Sequence, residues 1–208
     1  MIYLSGKIID HSKIGVMLSF NAGKQRYHGH KIWAVDNGCY SQPQKYSNDG
    51  YLSWLGKLDY KKCLFATAPD VVGDAEATLE RTVTMLPRIR ALGYKVAFVA
   101  QDGAKIDGLP WSDFDCLFIG GTNKFKLSQA AGDLIAHALH LGKWVHMGRV
   151  NSYKRIRLAN VLGVHSVDGT YLSFGPEKLL PNIELWLNEL EIQPNLKLTN
   201  GGKDGTNA

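Results

Sequence analysis

Long apolar runs are missing from this 208-residue sequence. No stretch approaches the roughly 18 apolar residues that a membrane-crossing helix needs, so no membrane partner is expected. The opening residues, MIYLSGKIIDHSK, lack the charged-then-apolar order of a secretory leader, and a cytoplasmic location is expected. Cysteine is scarce: Cys39, Cys63 and Cys116 are odd in number, far apart, and form no CxxC pair. That usage argues against a disulfide framework and a four-ligand zinc site, and for a reducing compartment. Histidine offers no ligand set either. His137 and His140 are three apart on a helical stretch, but no nearby carboxylate completes a metal triad, so packing or surface roles are expected. No GxGxxG follows the first strand-like run and no GxxxxGK[ST] occurs, so neither nucleotide fingerprint is present. Neither a metal nor a cofactor is expected.

What remains is ordinary globular material, 45% hydrophobic and 21% charged, with a formal charge of +5. The excess of base is a mild pointer to a polyanionic partner. Short apolar, β-branched runs recur at 15–20 (GVMLSF), 32–35 (IWAV), 63–68 (CLFATA), 96–100 (VAFVA), 116–119 (CLFI), 144–147 (WVHM) and 163–167 (GVHSV). Continuous runs of this kind suit strands buried on both faces. Residues 2–4 and 8–9 suit a further short strand or hairpin. Helical spacing appears at 74–92, where Pro87 predicts a kink, and at 127–141, 152–162 and 176–190, with Ser152 as an N-cap. Residues 42–49 read as a polar loop. Strand alternating with helix predicts parallel βαβ units and a (β/α)8 TIM-type barrel, compact or slightly incomplete. A doubly wound open sheet is the alternative. Residues 1–198 form one expected domain. The tail 199–208 (TNGGKDGTNA) is expected to be disordered.

Each strand-like run ends in polar residues or glycine. These are Asp36-Asn37-Gly38, Pro69-Asp70 with Asp74 beyond, Gln101-Asp102-Gly103, Gly120-Gly121-Thr122, His146-Met147-Gly148-Arg149 and Asp168-Gly169. In a barrel all of these junctions share one rim, where active sites lie. Aspartate before glycine also suits an ordinary turn, and Asp70 or Asp74 suits a helix cap. Two carboxylates on one rim can serve as nucleophile and general acid/base at a sugar C1′.

The ordered row of junctions resembles the tRNA-guanine transglycosylase superfamily. Asp36–Tyr40 (DNGCY) looks like its DSGGFQ segment, and Ala68-Pro69-Asp70 matches its base-reading aspartate. VAQDG at 99–103 is similar to its VQGG, and Gly120-Gly121 to its glycine pair before AVGE. HMGRV at 146–150 looks like its LMGVG, and VHSVDG at 164–169 like the segment ending in FDC. The resemblance implies a barrel that exchanges guanine for a free 7-deazaguanine base. It implies Asp168 as the nucleophile at C1′ and Asp36 as general acid/base. It implies Asp70, Gln101, Gly120 and Gly121 as contacts to the base edge, with Met147 on the base face and Asn37 and Gly148 beside the substrate. The sequence has no CxCxxC…H zinc site, and Thr122-Asn123-Lys124 replaces the acidic continuation. It is therefore most like the short, zinc-free phage and bacterial members that act on DNA. DNA is the expected acceptor ahead of tRNA, and the location is the host cytoplasm for a phage-encoded member.

Lys124, Lys126, Arg149, Lys154, Arg155 and Arg157 follow the later strand ends. Arg149, Lys124, Lys154 and Arg155 are the expected phosphate contacts, although a solvated helix face explains Arg155 and Arg157 as well. Trp33, Tyr40, Trp54 and Trp111 suit either core packing or stacking on an extruded base. His28, His30 and His146 are candidate substrate contacts, and His165 a core residue. The competing readings are a nucleoside or glycoside hydrolase using the same aspartates, a metal-dependent barrel hydrolase, and a non-catalytic nucleic-acid binder.

Overall fold

The computed structural model describes residues 1–20 and 32–192. The expected tail at 199–208 and the candidates His28 and His30 lie outside the described residues. Eight parallel strands close into one barrel in chain order. They are β1 (Ile2–Ser5), β2 (Ile14–Ser19), β3 (Trp33–Asp36), β4 (Cys63–Thr67), β5 (Val96–Ala100), β6 (Cys116–Ile119), β7 (Trp144–Met147) and β8 (Ser166–Gly169). This is the expected (β/α)8 TIM-type barrel. The first apolar run forms no hairpin. Instead β1 lies parallel between β2 and β8, with Leu4 opposite Asp168, and so closes the ring. All eight strands are present; among the described residues, no α-helix lies between β1 and β2, and only a short 3-10 turn, Ile106–Gly108, lies between β5 and β6.

Seven α-helices are described: α1 (Asn48–Leu55), α2 (Ala75–Val83), α3 (Leu86–Ala91), α4 (Asn123–Lys126), α5 (Gln129–His140), α6 (Tyr153–Val161) and α7 (Pro176–Ile192). Helix α1 overlaps the end of the stretch read as a polar loop. Its Asn-Asp-Gly start hides it, but Ser47 caps Gly50 N and the helix buries Tyr51 and Leu55. The helix expected over 74–92 is two helices, broken ahead of Pro87 rather than kinked at it. Pro87 sits in the first turn of α3, where its missing N–H loses no helical bond. Ser152 stands at the N-cap of α6, but its side chain makes no capping bond.

Strand side chains alternate between two cores. Leu4, Met17, Ala34, Phe65, Ala97 and Cys116 plug the barrel interior and are all buried. The opposite parity, including Val16, Val35, Val96, Leu117, Val145 and Val167, packs outward against the helices. Burying each such side chain contributes about 1.5–3 kcal/mol. Above the interior plug, the same inward parity carries polar groups toward the carboxyl ends of the strands.

Candidate active site at the carboxyl ends of the strands

An open cleft lies at this rim. Asp36, Asp70, Gln101, Gly120, Gly121, Gly148, Arg149 and Asp168, all expected on sequence grounds, line it. Met17, Val99 and Phe118 give it apolar walls, and Lys126 and Tyr40 complete its charged and aromatic edges. Among the described residues no group of three or more metal-binding side chains is gathered, and no helix is long and apolar enough to cross a membrane.

Asp36 is the last residue of β3. Its carboxylate accepts from the Ser19 hydroxyl at 3.0 Å. Burial pushes the Asp36 carboxyl up to about 6; the neighbouring charge of Asp70, and more weakly that of Asp168, adds to the rise, and the Ser19 bond opposes it. Such a group is half-protonated near pH 6. The chain then turns at Gly38, whose φ of +76° is left-handed. A Cβ there would run into the Phe20 carbonyl.

Asp70 is held rather than free. It is 7% exposed. Asn37 Nδ2 donates to its Oδ1 at 2.9 Å and Gln101 Nε2 to its Oδ2 at 2.5 Å. Burial raises the carboxyl and these two donors pull it back. Asn37 also donates to Ala68 O at 2.7 Å and accepts from Cys39 N at 2.7 Å. Gln101 accepts from Gly73 N at 2.9 Å. The loop itself is pinned by one face of α2. Thr78 Oγ1 pairs with Val71, and Thr82 Oγ1 donates to Pro69 O at 2.7 Å. Asn37 and Gln101 therefore orient Asp70, and Asn37 does not itself line the cleft. Asp74 caps α2 through Ala77 N. Asp102 ties the β5 and β6 loops together by accepting from Thr122 N and Oγ1.

Asp168 projects inward from β8 with its side chain 22% exposed. His146 Nε2 lies 3.0 Å from its Oδ1. His146 is wholly buried, so it is not an open substrate contact. Glycines make room beside it. A Cβ on Gly148 would lie 2.7 Å from the Phe118 ring and 3.3 Å from Asp168 Oδ1, and one on Gly120 2.8 Å from Gln101 Nε2.

Cations line the other wall. Lys126, the buried end of α4, donates from Nζ to Gly148 O at 3.1 Å. Burial, and next the charge of Arg149, lower its ammonium to about 8, against the pull of Asp168. Arg149 is the one non-glycine residue with positive φ, +59°, among those described. Its guanidinium stacks 3.2 Å from the centre of the Tyr40 ring. Lys126, Arg149 and Arg155 meet no carboxylate at ion-pair distance among the described residues. Lys124 and Lys154 are exposed on α4 and α6, outside the cleft. Arg155 lines a small neighbouring hollow that shares Lys126, Gly148 and Arg149 with the cleft.

Met147 corrects an expectation. It faces out of the barrel into the helix-packed core and does not line the cleft, because its neighbour His146 holds the inward parity. Trp33 is buried, Trp54 packs on Phe20 and Tyr51, and Trp111 on Phe114 and His137; of the four aromatic candidates only Tyr40 reaches the cleft. His165 precedes β8, half-buried, and accepts from Val145 N. Sequence reasoning did not single out Ser19, Ser166 or the buried place of Lys126. Strand parity relative to Asp36 and Asp168 is the signal that finds the two serines.

No protein-family model matches the chain, and no curated protein matches it. Among solved structures it is similar to tryptophan synthase from M. tuberculosis in an open form, at 14% identity and a TM-score of 0.47, over 77% of this chain and 60% of that one. The chain thus spans less than two thirds of that protein, and the likeness assigns no role to any residue of the cleft.

Proposed function

We propose that the chain is a base-exchange transglycosylase, replacing guanine in a nucleic acid, DNA ahead of tRNA, by a 7-deazaguanine such as 7-cyano-7-deazaguanine. The observation that carries this reading is the meeting of Asp36, Asp70 and Asp168 on one cleft, with the Asp36 carboxyl raised to about 6. The order of motifs along the chain supports the choice of base. The formal charge of +5 supports a polyanionic acceptor.

In this reading the target nucleoside is flipped out of the stack, because C1′ is out of reach inside a duplex. Lys126, Arg149 and Arg155 meet the flanking phosphates. An Asp168 oxygen bonds to C1′ as the bond from C1′ to guanine N9 breaks. Protonated Asp36 supplies the proton that guanine takes as it leaves. The incoming base gives its N9 proton to Asp36, bonds to C1′, and releases the Asp168 carboxylate. One glycosidic bond replaces another, so no energy source is consumed. Asp70, fixed by Asn37 and Gln101, faces the donor edge of the base. General acid catalysis at Asp36 contributes about 10²–10⁴-fold.

The deciding assay offers labelled guanine or 7-cyano-7-deazaguanine with either DNA or tRNA. Incorporation into DNA, abolished together with covalent trapping in Asp168→Asn, is the expected result. Exchange persisting in Asp168→Asn overturns the nucleophile. Free guanine released without incorporation makes the protein a hydrolase.

A further inference from the structure

Behind Asp168 lies a chain of three buried or half-buried side chains that the exchange reaction does not by itself require. Trp144 and His146 on β7, and Ser166 and Asp168 on β8, all hold the inward parity, with His146 opposite Ser166 in register. Trp144 Nε1 donates to Ser166 Oγ at 2.9 Å. Ser166 Oγ is 2.8 Å from His146 Nδ1, and His146 Nε2 is 3.0 Å from Asp168 Oδ1. His146 and Ser166 are both fully buried. The imidazole is wedged between Phe118, centroid at 4.5 Å, and Phe65, at 5.0 Å.

The proton positions follow from what each group can do. Indole N–H only donates, so Ser166 Oγ accepts from Trp144. The hydroxyl proton of Ser166 then needs an acceptor in a dry interior, and Nδ1 is within reach. Nδ1 is therefore bare, and the ring proton of neutral His146 sits on Nε2, pointing at Asp168. The reverse tautomer would face a bare Nε2 to a carboxylate oxygen and strand the Ser166 proton. Asp168 Oδ1 is thereby occupied, and Oδ2 is left with no protein donor among the described residues.

We propose that His146 is a positioning residue for Asp168. Trp144 and Ser166 hold it in the neutral Nε2–H tautomer, and it in turn fixes the carboxylate by Oδ1 and presents Oδ2 to the cleft. The catalytic consequence rests on the exchange reaction proposed above; the tautomer does not. A carboxylate free to rotate misplaces its attacking oxygen, and a displacement of ~1 Å in such a site costs ~10²-fold in rate.

The test has two arms. In ¹⁵N-histidine-labelled protein, long-range ¹H–¹⁵N correlations at pH 7.5 read the tautomer, with His146 assigned by the signal lost in His146→Gln. The expected result is a protonated Nε2 and a bare Nδ1, with the Nδ1–H form gaining population in Ser166→Ala. A wild-type His146 protonated at Nδ1 overturns the proposal. In the exchange assay, His146→Phe is expected to lower kcat ~10²-fold with KM for the incoming base within about twofold, and His146→Gln, which keeps an N–H near Nε2, to recover at least about tenfold. Wild-type kcat in His146→Phe also overturns it. Should His146→Phe fail to fold, Ser166→Ala decides: unchanged tautomer and unchanged kcat refute the chain. A wild type that exchanges nothing sinks the transglycosylase reading and leaves the tautomer test standing.

Discussion

Replacing Asp36 by Asn should stabilise the fold while disabling the cleft, and the gain should depend on pH. Each tenfold change in proton affinity is worth about 1.4 kcal/mol. The rise of the Asp36 carboxyl from 3.8 to about 6 therefore means that ionising it costs the native state about 3 kcal/mol. The sign follows from the direction. Between pH 3.8 and about 6 the native state binds the extra proton and the unfolded state has lost it, so stability falls as pH rises through that window. Below about 4 nothing is lost; above about 6 the whole amount is. The substituted amide cannot ionise, and its side-chain oxygen still accepts from Ser19. Urea denaturation of wild type and Asp36→Asn from pH 4 to 7.5 should give a stability difference near zero at pH 4, growing to about 2–3 kcal/mol in favour of the variant. For a domain of this size that is a gain in Tm of about 4–12 °C at neutral pH. Taking the difference between the two proteins cancels the titration of the other carboxylates to first order. Exchange should fall by ~10²–10⁴-fold in the same variant. A difference that stays flat with pH, or a variant less stable than wild type at pH 7.5, refutes the argument.

Asn37→Leu removes one donor from Asp70, with an expected loss of ~1–3 kcal/mol by denaturation and a higher KM for the incoming base. Gly148→Ala sets a methyl against Phe118 and beside Asp168, so destabilisation of ~1–3 kcal/mol and a fall in kcat are expected. Arg149→Gly relieves a left-handed backbone position but loses the stack on Tyr40. Stability should change by less than about 1 kcal/mol, while the salt dependence of DNA binding, followed by fluorescence anisotropy, should flatten by about one counterion.

The barrel and its rim were legible because strands buried on both faces read as continuous apolar runs, and each run stopped at a polar or glycine residue. That was enough to bring Asp36, Asp70 and Asp168 into one cleft. It was not enough for direction. Met147 and His146 are adjacent, and only strand parity, pinned by the register of β7 against β8, tells which one points inward. His146 stands where the LMGVG motif carries leucine, so the resemblance drew attention to the methionine. The bonds from Ser19 to Asp36 and from His146 to Asp168 join residues 17 and 22 positions apart, and no local pattern encodes them. Helix α1 was missed because its first three residues, Asn-Asp-Gly, favour turns, and its support comes from Tyr51 and Leu55 packing on the rest of the fold.

Tyr40 follows β3 and Arg149 follows β7, four strands apart around a ring of eight, so their stacked contact runs across the diameter of the mouth. It behaves as a clasp. A cation on an aromatic face is worth about 0.5–2 kcal/mol, which leaves the open form as a minority of roughly one molecule in three to one in thirty. Any ligand that must part the pair binds with its affinity diluted by that fraction. The stack therefore sets part of the cost of entering the mouth, and Tyr40→Ala removes that cost together with the contact.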